Sequence, residues 1–244
     1  MSKHPNNTRP FHFKQFSLFH HKSSMKVGID AIILGAWSDV DAVKSILDVG
    51  SGSGIISLLL ASRSSANIDA VEIDPASVKE ASENFNNSSF SKQLRIIHSD
   101  YTAYANTCKK RYDLVVSNPP FFVDFSFKPK EVSRKNARHS DTLDFEQLCE
   151  GVSKTLNPDG KFCLVLPKTE KEKFLRIALQ SQLHLQKQMF ISPKTKQSAN
   201  RVNLQLGFNK RKEIQNEYFS IRENDLTFTN QFINFLKDYY IGFD

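Results

Sequence analysis

The amino-acid sequence predicts a single α/β domain, in which a mostly parallel β-sheet carries helices on both faces. Three features lead to this prediction. From about residue 45, short apolar runs rich in β-branched residues alternate with longer segments of helical character. A loop with glycine at alternate positions connects the first such run to the first such helix. The chain of 244 residues is also long enough to bury a sizeable core.

Seven segments are predicted to be strands, because each is a short apolar run bounded by polar or turn-forming residues. They are 45–49, 68–73, 94–98, 112–117, 161–166, 186–191 and 202–208. Helices are predicted at 55–61, from Pro75 onward, at 145–156 and at 170–180. Asp74 and Pro75 have the chemistry of a helix N-cap and a first helical residue. The sequence Asn-Pro-Asp-Gly at 157–160 predicts a turn.

These elements divide the chain into three parts. Residues 45–208 form the predicted core, and residues 1–44 are an extension that we expect to pack on it. Residues 209–244 are a tail, polar at first and then rich in aromatic residues at helical spacing.

The composition is that of a soluble globular protein, with 39% hydrophobic and 24% charged residues. No apolar run is long enough to span a bilayer, and the first residues lack an apolar leader, so we expect a cytoplasmic protein without a membrane partner. Cys108, Cys149 and Cys163 are far apart and form no Cys-x-x-Cys pair. They predict neither a disulfide framework nor a metal site.

The net charge of +7 is unevenly distributed. Cations cluster at 1–29, 128–138 and 187–212, and the first and third of these segments contain no acid. Clustered cations favour a polyanionic partner, although composition alone is equally compatible with a solvated basic surface.

The glycine loop at Gly50, Gly52 and Gly54 is the first candidate site. Glycine lets a backbone turn tightly and approach a ligand closely. Glu72 ends the second predicted strand, where nucleotide-binding α/β folds place an acid that accepts from ribose hydroxyls. Together they favour an adenosine-containing cofactor over an ordinary tight connection.

Asp48, just before this loop, helps to choose the cofactor. A carboxylate there would repel a pyrophosphate, and the glycine spacing differs from the G-x-G-x-x-G of dinucleotide sites. It could instead orient the loop or meet the charged aminoacyl group of S-adenosylmethionine. The pattern therefore favours S-adenosylmethionine over a nicotinamide dinucleotide.

The second candidate site is the Asn-Pro-Pro-Phe turn at 118–121. Two prolines end the strand at 112–117, since neither can donate to a sheet ladder. The turn offers the Asn118 amide, the Pro119 carbonyl and the Phe121 ring, a set that can hold a planar ring with an exocyclic amine. A purely structural strand terminator is the alternative.

The motifs at 48–54, 71–74, 99–100 and 118–121 occur in this order. They resemble those of Rossmann-like, class I S-adenosylmethionine methyltransferases that modify amino groups. Segments 26–30, 34–37 and 137–139 look more narrowly like the bacterial tRNA adenine-N6 methyltransferases that modify valine tRNA beside its anticodon. The resemblance covers nearly the whole chain.

The resemblance implies a role for each motif. Gly50, Gly52 and Gly54 would line the methionine part of the cofactor, and Asp48 and Asn118 would border it. Glu72 would bind the ribose and Asp100 the adenine amino group, although Asp100 would also suit a helix N-cap. Asp30 would either touch the cofactor or begin a helix.

The chemistry of the turn residues then predicts how such a reaction would proceed, and no metal ion is expected. Asn118 and Pro119 would accept hydrogen bonds from the target amine, and Phe121 would stack on the extruded base. RNA contacts are expected from six basic residues. They are Lys26, Arg138, His139, Lys194, Lys196 and Arg201.

Three other functions remain open from the residues alone. Guanine-N2 of ribosomal RNA and the side-chain amide of a protein glutamine both present an NH₂ group that such a turn can hold. A non-catalytic RNA-binding module is a function of a different class.

Overall fold

The computed structural model describes residues 9–23, 27–119 and 143–243. Within these ranges the strands are β1 (Phe11–His12), β2 (Ser17–Leu18), β3 (Ser45–Val49), β4 (Asn67–Glu72), β5 (Leu94–His98), β6 (Tyr112–Ser117), β7 (Leu156–Pro167), β8 (His184–Lys194), β9 (Arg201–Gly207) and β10 (Gln215–Arg222). The helices are α1 (Ile29–Trp37), α2 (Ile55–Ala61), α3 (Pro75–Asn86), α4 (Tyr101–Thr107), α5 (Phe145–Thr155), α6 (Lys171–Gln180) and α7 (Asn230–Leu236).

One sheet of eight strands organises the described part of the chain, in the order β10-β8-β9-β7-β6-β3-β4-β5. Strands β5, β4, β3, β6 and β7 run parallel, whereas β9 is antiparallel to both of its neighbours, β7 and β8. Val49 pairs with Val71 on one side and with Ser117 on the other. The ends of β3, β4 and β6 therefore meet at one edge, which we call the carboxyl edge of the sheet.

The prediction of a mostly parallel α/β sheet is confirmed, but the described residues contribute eight strands to it rather than seven. The additional strand is β10, which pairs in parallel with β8 and lies in the segment 209–244 expected to be a tail. Its sequence, Gln-Asn-Glu-Tyr-Phe-Ser-Ile-Arg, is mostly polar and only Phe219 is buried. Because only one residue of this edge strand is buried, its sequence contains no apolar run from which a strand could be predicted.

The sequence 157–160 behaves differently from the predicted turn. Strand β7 begins at Leu156, directly after α5, and already contains these residues. Tyr112 pairs with Leu156 and Leu114 with Lys161, so the ladder shifts register there. The turn-forming residues are accommodated as an irregularity within the strand instead of separating the helix from it.

Helix starts follow the chemistry of their N-caps. Asp74 accepts from the backbone N–H of Ser77 at 2.8 Å, with Pro75 as the first residue of α3. Asp144 and Gln147 form a reciprocal capping box at the start of α5. Both caps satisfy N–H groups that the first turn of a helix leaves unpaired.

Two apolar cores cover the two faces of the sheet. Helices α1, α2, α3 and α7 pack on one face, and α4, α5 and α6 pack on the other. The N-terminal hairpin joins the first core through Phe13 and Phe16, which are both buried. Among the described residues, no helix has the length and apolar character needed to cross a membrane.

Candidate functional site

A cavity of about 620 Å³ opens at the carboxyl edge of the sheet. Its walls come from the loop between β3 and α2, the ends of β4 and β6, and the starts of α1 and α4. The polar and small residues on these walls include Gly28, Gly50, Ser51, Gly52, Glu72, Ser99, Asp100 and Asn118. The site is therefore assembled where a parallel α/β sheet ordinarily binds its ligands.

The glycine loop presents its backbone to the cavity. Gly50 and Gly52 have φ values of +69° and +54°, which favour glycine. A Cβ atom at either position would meet nothing within 4 Å, so both residues face open space. Gly50 N–H donates to the carbonyl of Val71 at 2.9 Å, which fixes the loop to β4.

Gly54 has a different place from the other two glycines. It lies outside the cavity lining, at the N-cap of α2, with a φ of +85°. A Cβ atom there would lie 2.4 Å from Cε1 of Phe85 on α3. The structure thus gives Gly54 a packing role and does not bring it to the cavity wall.

Glu72 is buried at the end of β4 and faces the cavity. Its Oε2 accepts from Gly52 N–H at 2.8 Å, and its Oε1 accepts from the N–H groups of Ile73 and Asp74 at 2.9 Å each. Three backbone donors hold this carboxylate in one orientation. It therefore presents a fixed anionic acceptor to a ligand in the cavity.

Asp48 lies beneath the loop and outside the cavity lining. Its Oδ2 accepts from the N–H and the hydroxyl of Ser57 in α2, at 3.2 and 2.7 Å. Burial raises the pKa of Asp48 to about 7; the hydrogen bonds from Ser57 oppose this effect and the nearby charge of Glu72 adds to it. Of the two expected roles, the geometry favours orientation of the loop through α2.

Asn118 and Pro119 line the cavity beyond the end of β6. The Oδ1 atom of Asn118 is buried and has no hydrogen-bond donor among the described residues. The hydroxyl of Ser117 donates to the carbonyl of Val49 at 3.0 Å, which ties β6 to β3 beside the glycine loop. A buried acceptor without a partner is costly, so its retention points to a ligand that donates to it. Phe121 lies outside the described residues.

Asp100 caps a helix and also lies on the cavity wall. Its Oδ1 accepts from Ala103 N–H at 2.9 Å and caps α4. The residue also lines the cavity, on the same wall as Ser99. Capping uses one carboxylate oxygen, which leaves the other for a ligand.

Residues 31–190 match the family model of the methyltransferase small domain. The chain belongs to this family. It is 38% identical over 236 residues to the tRNA1(Val) (adenine(37)-N6)-methyltransferase of Trichodesmium erythraeum, covering 96% of this chain and 98% of the relative. It is 34% identical over 232 residues to the protein of the same name from Bacteroides fragilis, covering 95% and 97%.

Solved structures agree with the fold of this methyltransferase. A predicted O-methyltransferase from Agrobacterium tumefaciens superposes with a TM-score of 0.66 at 19% identity, covering 86% of this chain and 96% of that one. The glycopeptide N-methyltransferase MtfA, in complex with S-adenosylmethionine, gives a TM-score of 0.50 at 13% identity, covering 68% and 82%. The class I methyltransferase fold inferred from the sequence motifs is confirmed.

Asp30 of the methyltransferase lies in the first turn of α1 and outside the cavity lining. Its Oδ2 accepts from Nε of Arg201 at 2.9 Å. The pair joins α1 to the start of β9. Of the two expected roles of Asp30, the structure supports the helix start.

Three of the six expected RNA contacts lie around the loop between β8 and β9. Lys194 ends β8, Arg201 begins β9, and Lys196 lies between them. Arg201 pairs with Pro167 at the end of β7, so this loop is at the carboxyl edge, the same edge as the cavity. Lys26, Arg138 and His139 lie outside the described residues.

Two residues of α3 support the site from outside the cavity lining, and no sequence pattern indicated them. The buried Glu80 accepts from the backbone N–H groups of His21, Lys22 and Ser23. The buried Asn84 exchanges two hydrogen bonds of 2.8 Å with Phe19 and donates to the carbonyl of Ser53 at 2.9 Å. They attach the N-terminal segment to the methyltransferase core next to the glycine loop. In the sequence they are two polar residues one helical turn apart, which does not distinguish them from residues on a solvated helix face.

We predicted from the sequence that the reaction needs no metal ion, and this stays a prediction. Within the described ranges, no group of three or more His, Cys, Asp or Glu residues is placed to hold a metal ion. Cys108, Cys149 and Cys163 are all free thiols.

Proposed function

We propose that this methyltransferase transfers the methyl group of S-adenosylmethionine to the exocyclic N6 amine of an adenine in tRNA, and that the adenine lies next to the anticodon of valine tRNA. Relatives named for this activity match the chain over 95–96% of its length. A tRNA substrate also makes the cytoplasm the place where the protein acts.

The observation that carries the proposal is the buried Oδ1 atom of Asn118. It lines the same cavity as the glycine loop and Glu72 and has no donor among the described residues. An amine N–H of the target base would satisfy this acceptor. The geometry therefore supports an NH₂ group as the methyl acceptor.

The cavity residues fit S-adenosylmethionine. The open space at Gly50 and Gly52 admits the methionine part close to the backbone. The hydroxyl of Ser51, buried and without a partner among the described residues, is a further polar contact there. Glu72 accepts from the ribose hydroxyls and Asp100 from the adenine amine. When bound, the cofactor supplies an electrophilic methyl group.

The protein's contribution to the chemistry is to position the amine. The lone pair of an exocyclic amine is delocalised into the ring, which makes the nitrogen a poor nucleophile. Hydrogen bonds from the amine to Asn118 Oδ1 and to the Pro119 carbonyl favour a pyramidal nitrogen with its lone pair localised. The same two oxygens stabilise the positive charge that develops on the nitrogen. The proton becomes acidic only then and leaves without a strong base.

The residues proposed to bind the RNA include some that the structure describes and some that lie outside the described residues. A base must leave its stack to reach the cavity, and Phe121 stacks on it in this proposal. The basic residues expected to hold the phosphates are Lys26, Arg138, His139, Lys194, Lys196 and Arg201.

Nucleoside mass spectrometry of an unmodified valine tRNA transcript, incubated with the enzyme and S-adenosylmethionine, tests the proposal. We expect N6-methyladenosine as the product. Asn118→Ala should lower turnover on the order of 100-fold, as for the loss of one preorganised polar group at the reacting atom. Asn67→Ala, at the opposite end of β4, is the matched control and should retain full turnover.

Two results would contradict different parts of the proposal. Methylguanosine, or no methylated nucleoside at all, would show that the substrate is wrong. Turnover of Asn118→Ala equal to that of the unaltered enzyme would show that the assignment of Asn118 is wrong. Calorimetry of cofactor binding to Asn118→Ala separates a loss of turnover caused by a weakened cofactor site from one caused by mispositioning of the amine.

A further inference from the structure

A stacked pair of aromatic rings, one exposed and one partly buried, lies on the outer strands of the sheet, away from the cavity. Phe190 on β8 and Tyr218 on β10 pair across the two strands. Their rings stack, with centroids 5.6 Å apart and planes inclined by 22°. Tyr218 is 74% exposed, so most of its ring is accessible to solvent. A large aromatic ring held in one orientation and left uncovered is a candidate contact surface.

The register of the sheet brings this pair to the level of the catalytic turn. Ser117 pairs with Leu164, and the same row continues through Leu204 and Gln188 to Asn216. Phe190 and Tyr218 lie two residues further toward the carboxyl edge on their strands. They are therefore level with Pro119, which follows Ser117 by two residues.

The separation across the sheet suits a short stretch of nucleic acid. Four strand spacings of roughly 4.8 Å separate β6 from β10, or roughly 19 Å in all. A few unstacked nucleotides can span this distance. A strand of RNA whose target base enters the cavity can therefore place a neighbouring base at Tyr218.

Positive charge lies beside the Phe190 ring of the pair. The Nζ atoms of Lys168 and Lys171 lie 5.8 and 5.4 Å from the centre of the Phe190 ring. Lys168 also donates its backbone N–H to Asn200 in the loop between β8 and β9. Lys194 follows Phe190 by four residues on β8 and thus shares its face of the sheet.

The acids close to the pair form ion pairs, one of them with Lys171 beside the Phe190 ring. Glu172 lies 3.3 Å from Lys171. Glu217, next to Tyr218 in sequence, points to the other face, where it accepts from Trp37 at 2.7 Å and pairs with Lys187 at 3.0 Å. On the face of Tyr218, its neighbours along β10 are the uncharged Asn216 and Ser220. The surface therefore combines a flat π-face with cations, the combination that binds unpaired nucleotides.

We propose that Tyr218, supported by Phe190, is a stacking platform for an unpaired base of the RNA substrate, outside the target adenine. Lys168 and Lys194 bind the phosphates beside that base. The identity of the RNA as a tRNA rests on the function proposed above; the platform itself rests on the aromatic pair, its register and its charge.

Fluorescence anisotropy with a labelled, unmodified valine tRNA transcript tests the platform without requiring turnover. Tyr218→Ala should weaken binding on the order of tenfold, the effect of losing one base–aromatic stack. Tyr218→Phe keeps the ring and should bind like the unaltered protein. Leu179→Ala is the matched control, because Leu179 is 57% exposed near the end of α6, at the opposite edge of the sheet. It should leave binding unchanged.

The salt dependence of RNA affinity tests the proposed phosphate contact of Lys168. Lys168→Gln should reduce the slope of log affinity against log salt by roughly 0.7 for each phosphate that the variant no longer neutralises. The melting temperature and the cofactor affinity of every variant should equal those of the unaltered protein, since Lys168, Leu179 and Tyr218 are all exposed and lie outside the cavity lining.

The outcomes separate the platform from the proposed function. Equal RNA affinity of Tyr218→Ala and the unaltered protein would overturn the platform, whatever the enzyme methylates. If Tyr218→Ala instead changes the oligomeric state in sedimentation and leaves RNA affinity unchanged, the face is an interface between copies of the chain and the platform is likewise overturned. A protein that binds tRNA through Tyr218 but forms no N6-methyladenosine would support the platform while contradicting the proposed function.

Discussion

The buried carboxylate of Glu80 binds Ser23 through both its backbone and its side chain. Ser23 N–H donates to Oε2 at 2.9 Å, and the Ser23 hydroxyl donates to the same oxygen. The N–H groups of His21 and Lys22 donate to Oε1 at 2.8 Å each. Burial opposes ionisation of Glu80, but these hydrogen bonds prevail and hold its pKa below the ordinary value. An ionised Glu80 thus anchors the segment that leads to Gly28 on the cavity wall.

Glu80→Gln is expected to weaken binding of S-adenosylmethionine. The amide would turn an NH₂ group toward backbone donors, and each unsatisfied buried donor costs about 1–3 kcal/mol. Part of this cost falls on the placement of the N-terminal segment, so we expect the dissociation constant measured by calorimetry to rise on the order of tenfold.

Glu83→Gln is the matched control on the same helix. Glu83 pairs with Lys22 at 2.7 Å, but its side chain is 41% exposed, and exposed ion pairs contribute little. Its cofactor affinity should equal that of the unaltered protein. If Glu80→Gln binds the cofactor as tightly as Glu83→Gln does, the anchor has no influence on the cavity.

The parallel half of the sheet could be predicted from the sequence because each of its strands contains a short apolar run. Strands β3, β5 and β6 have the predicted bounds, and β4 differs by one residue at each end. Apolar runs bounded by turn residues mark such strands clearly. Strand β10 could not be found in this way, since its stability comes from pairing with β8 and from the single buried Phe219.

The parts of the candidate site that lie directly at a strand end could be predicted from the sequence. Glu72 and Asn118 line the cavity as expected, because each follows a buried strand whose end is legible in the sequence. Gly54 and Asp48 share the same motif, yet they face Phe85 and Ser57 rather than the cavity. Whether a loop residue faces the cavity or the core depends on its packing partners, which the spacing of residues in the sequence does not reveal.

The anchors of the N-terminal segment were not predictable. Glu80 lies 57 residues from Ser23, and no local pattern joins them. The residue types that bind a distant backbone, such as Glu and Asn, are also those found on the solvated face of a helix, so the sequence does not distinguish the two cases.

The packed Gly54 and the cavity-facing Gly52 predict different effects of substitution by alanine. Gly54→Ala would place Cβ 2.4 Å from Phe85 Cε1 and strain a residue with a φ of +85°. We expect it to lower the free energy of unfolding by about 2–4 kcal/mol, from overpacking and left-handed strain together. Chemical denaturation measures this loss.

Gly52→Ala meets no neighbouring atom within 4 Å and has a φ of +54°. We expect strain alone, about 1–2 kcal/mol. Its methyl group would project into the cavity, so cofactor affinity should fall much more than stability. A larger loss of stability in Gly52→Ala than in Gly54→Ala would contradict this division of roles.

Asp48 predicts a pH dependence of stability. Burial raises its pKa in the folded protein to about 7, against about 3.9 in an unfolded chain. Between about pH 4 and 7 the folded state therefore retains a proton that the unfolded state releases. This term falls as pH rises through that window, by at most about 1.4 kcal/mol per pH unit, and is constant above it.

Asp48→Asn isolates this term, because the amide oxygen can still accept from Ser57. The difference in unfolding free energy, variant minus unaltered protein, should increase from pH 4 to 7 and then level off. Urea denaturation at several pH values without cofactor measures it. A difference that stays constant across this range would show that Asp48 is already ionised at low pH.

Asp100 is the residue at which structure and cofactor binding can be separated by one substitution. Its Oδ1 accepts from Ala103 N–H at 2.9 Å, a role that asparagine performs equally well. Asp100→Asn should therefore leave the melting temperature unchanged. The amide would present NH₂ rather than an oxygen to the cavity, where the proposed cofactor-binding mode needs an acceptor for the adenine amine. We expect the cofactor dissociation constant to rise about tenfold, through loss of one charged acceptor.

Asp100→Ala should show the same loss of cofactor affinity and also a lower melting temperature, since the cap is worth about 1 kcal/mol. If Asp100→Asn binds the cofactor normally while Asp100→Ala is destabilised, Asp100 acts only as the cap of α4.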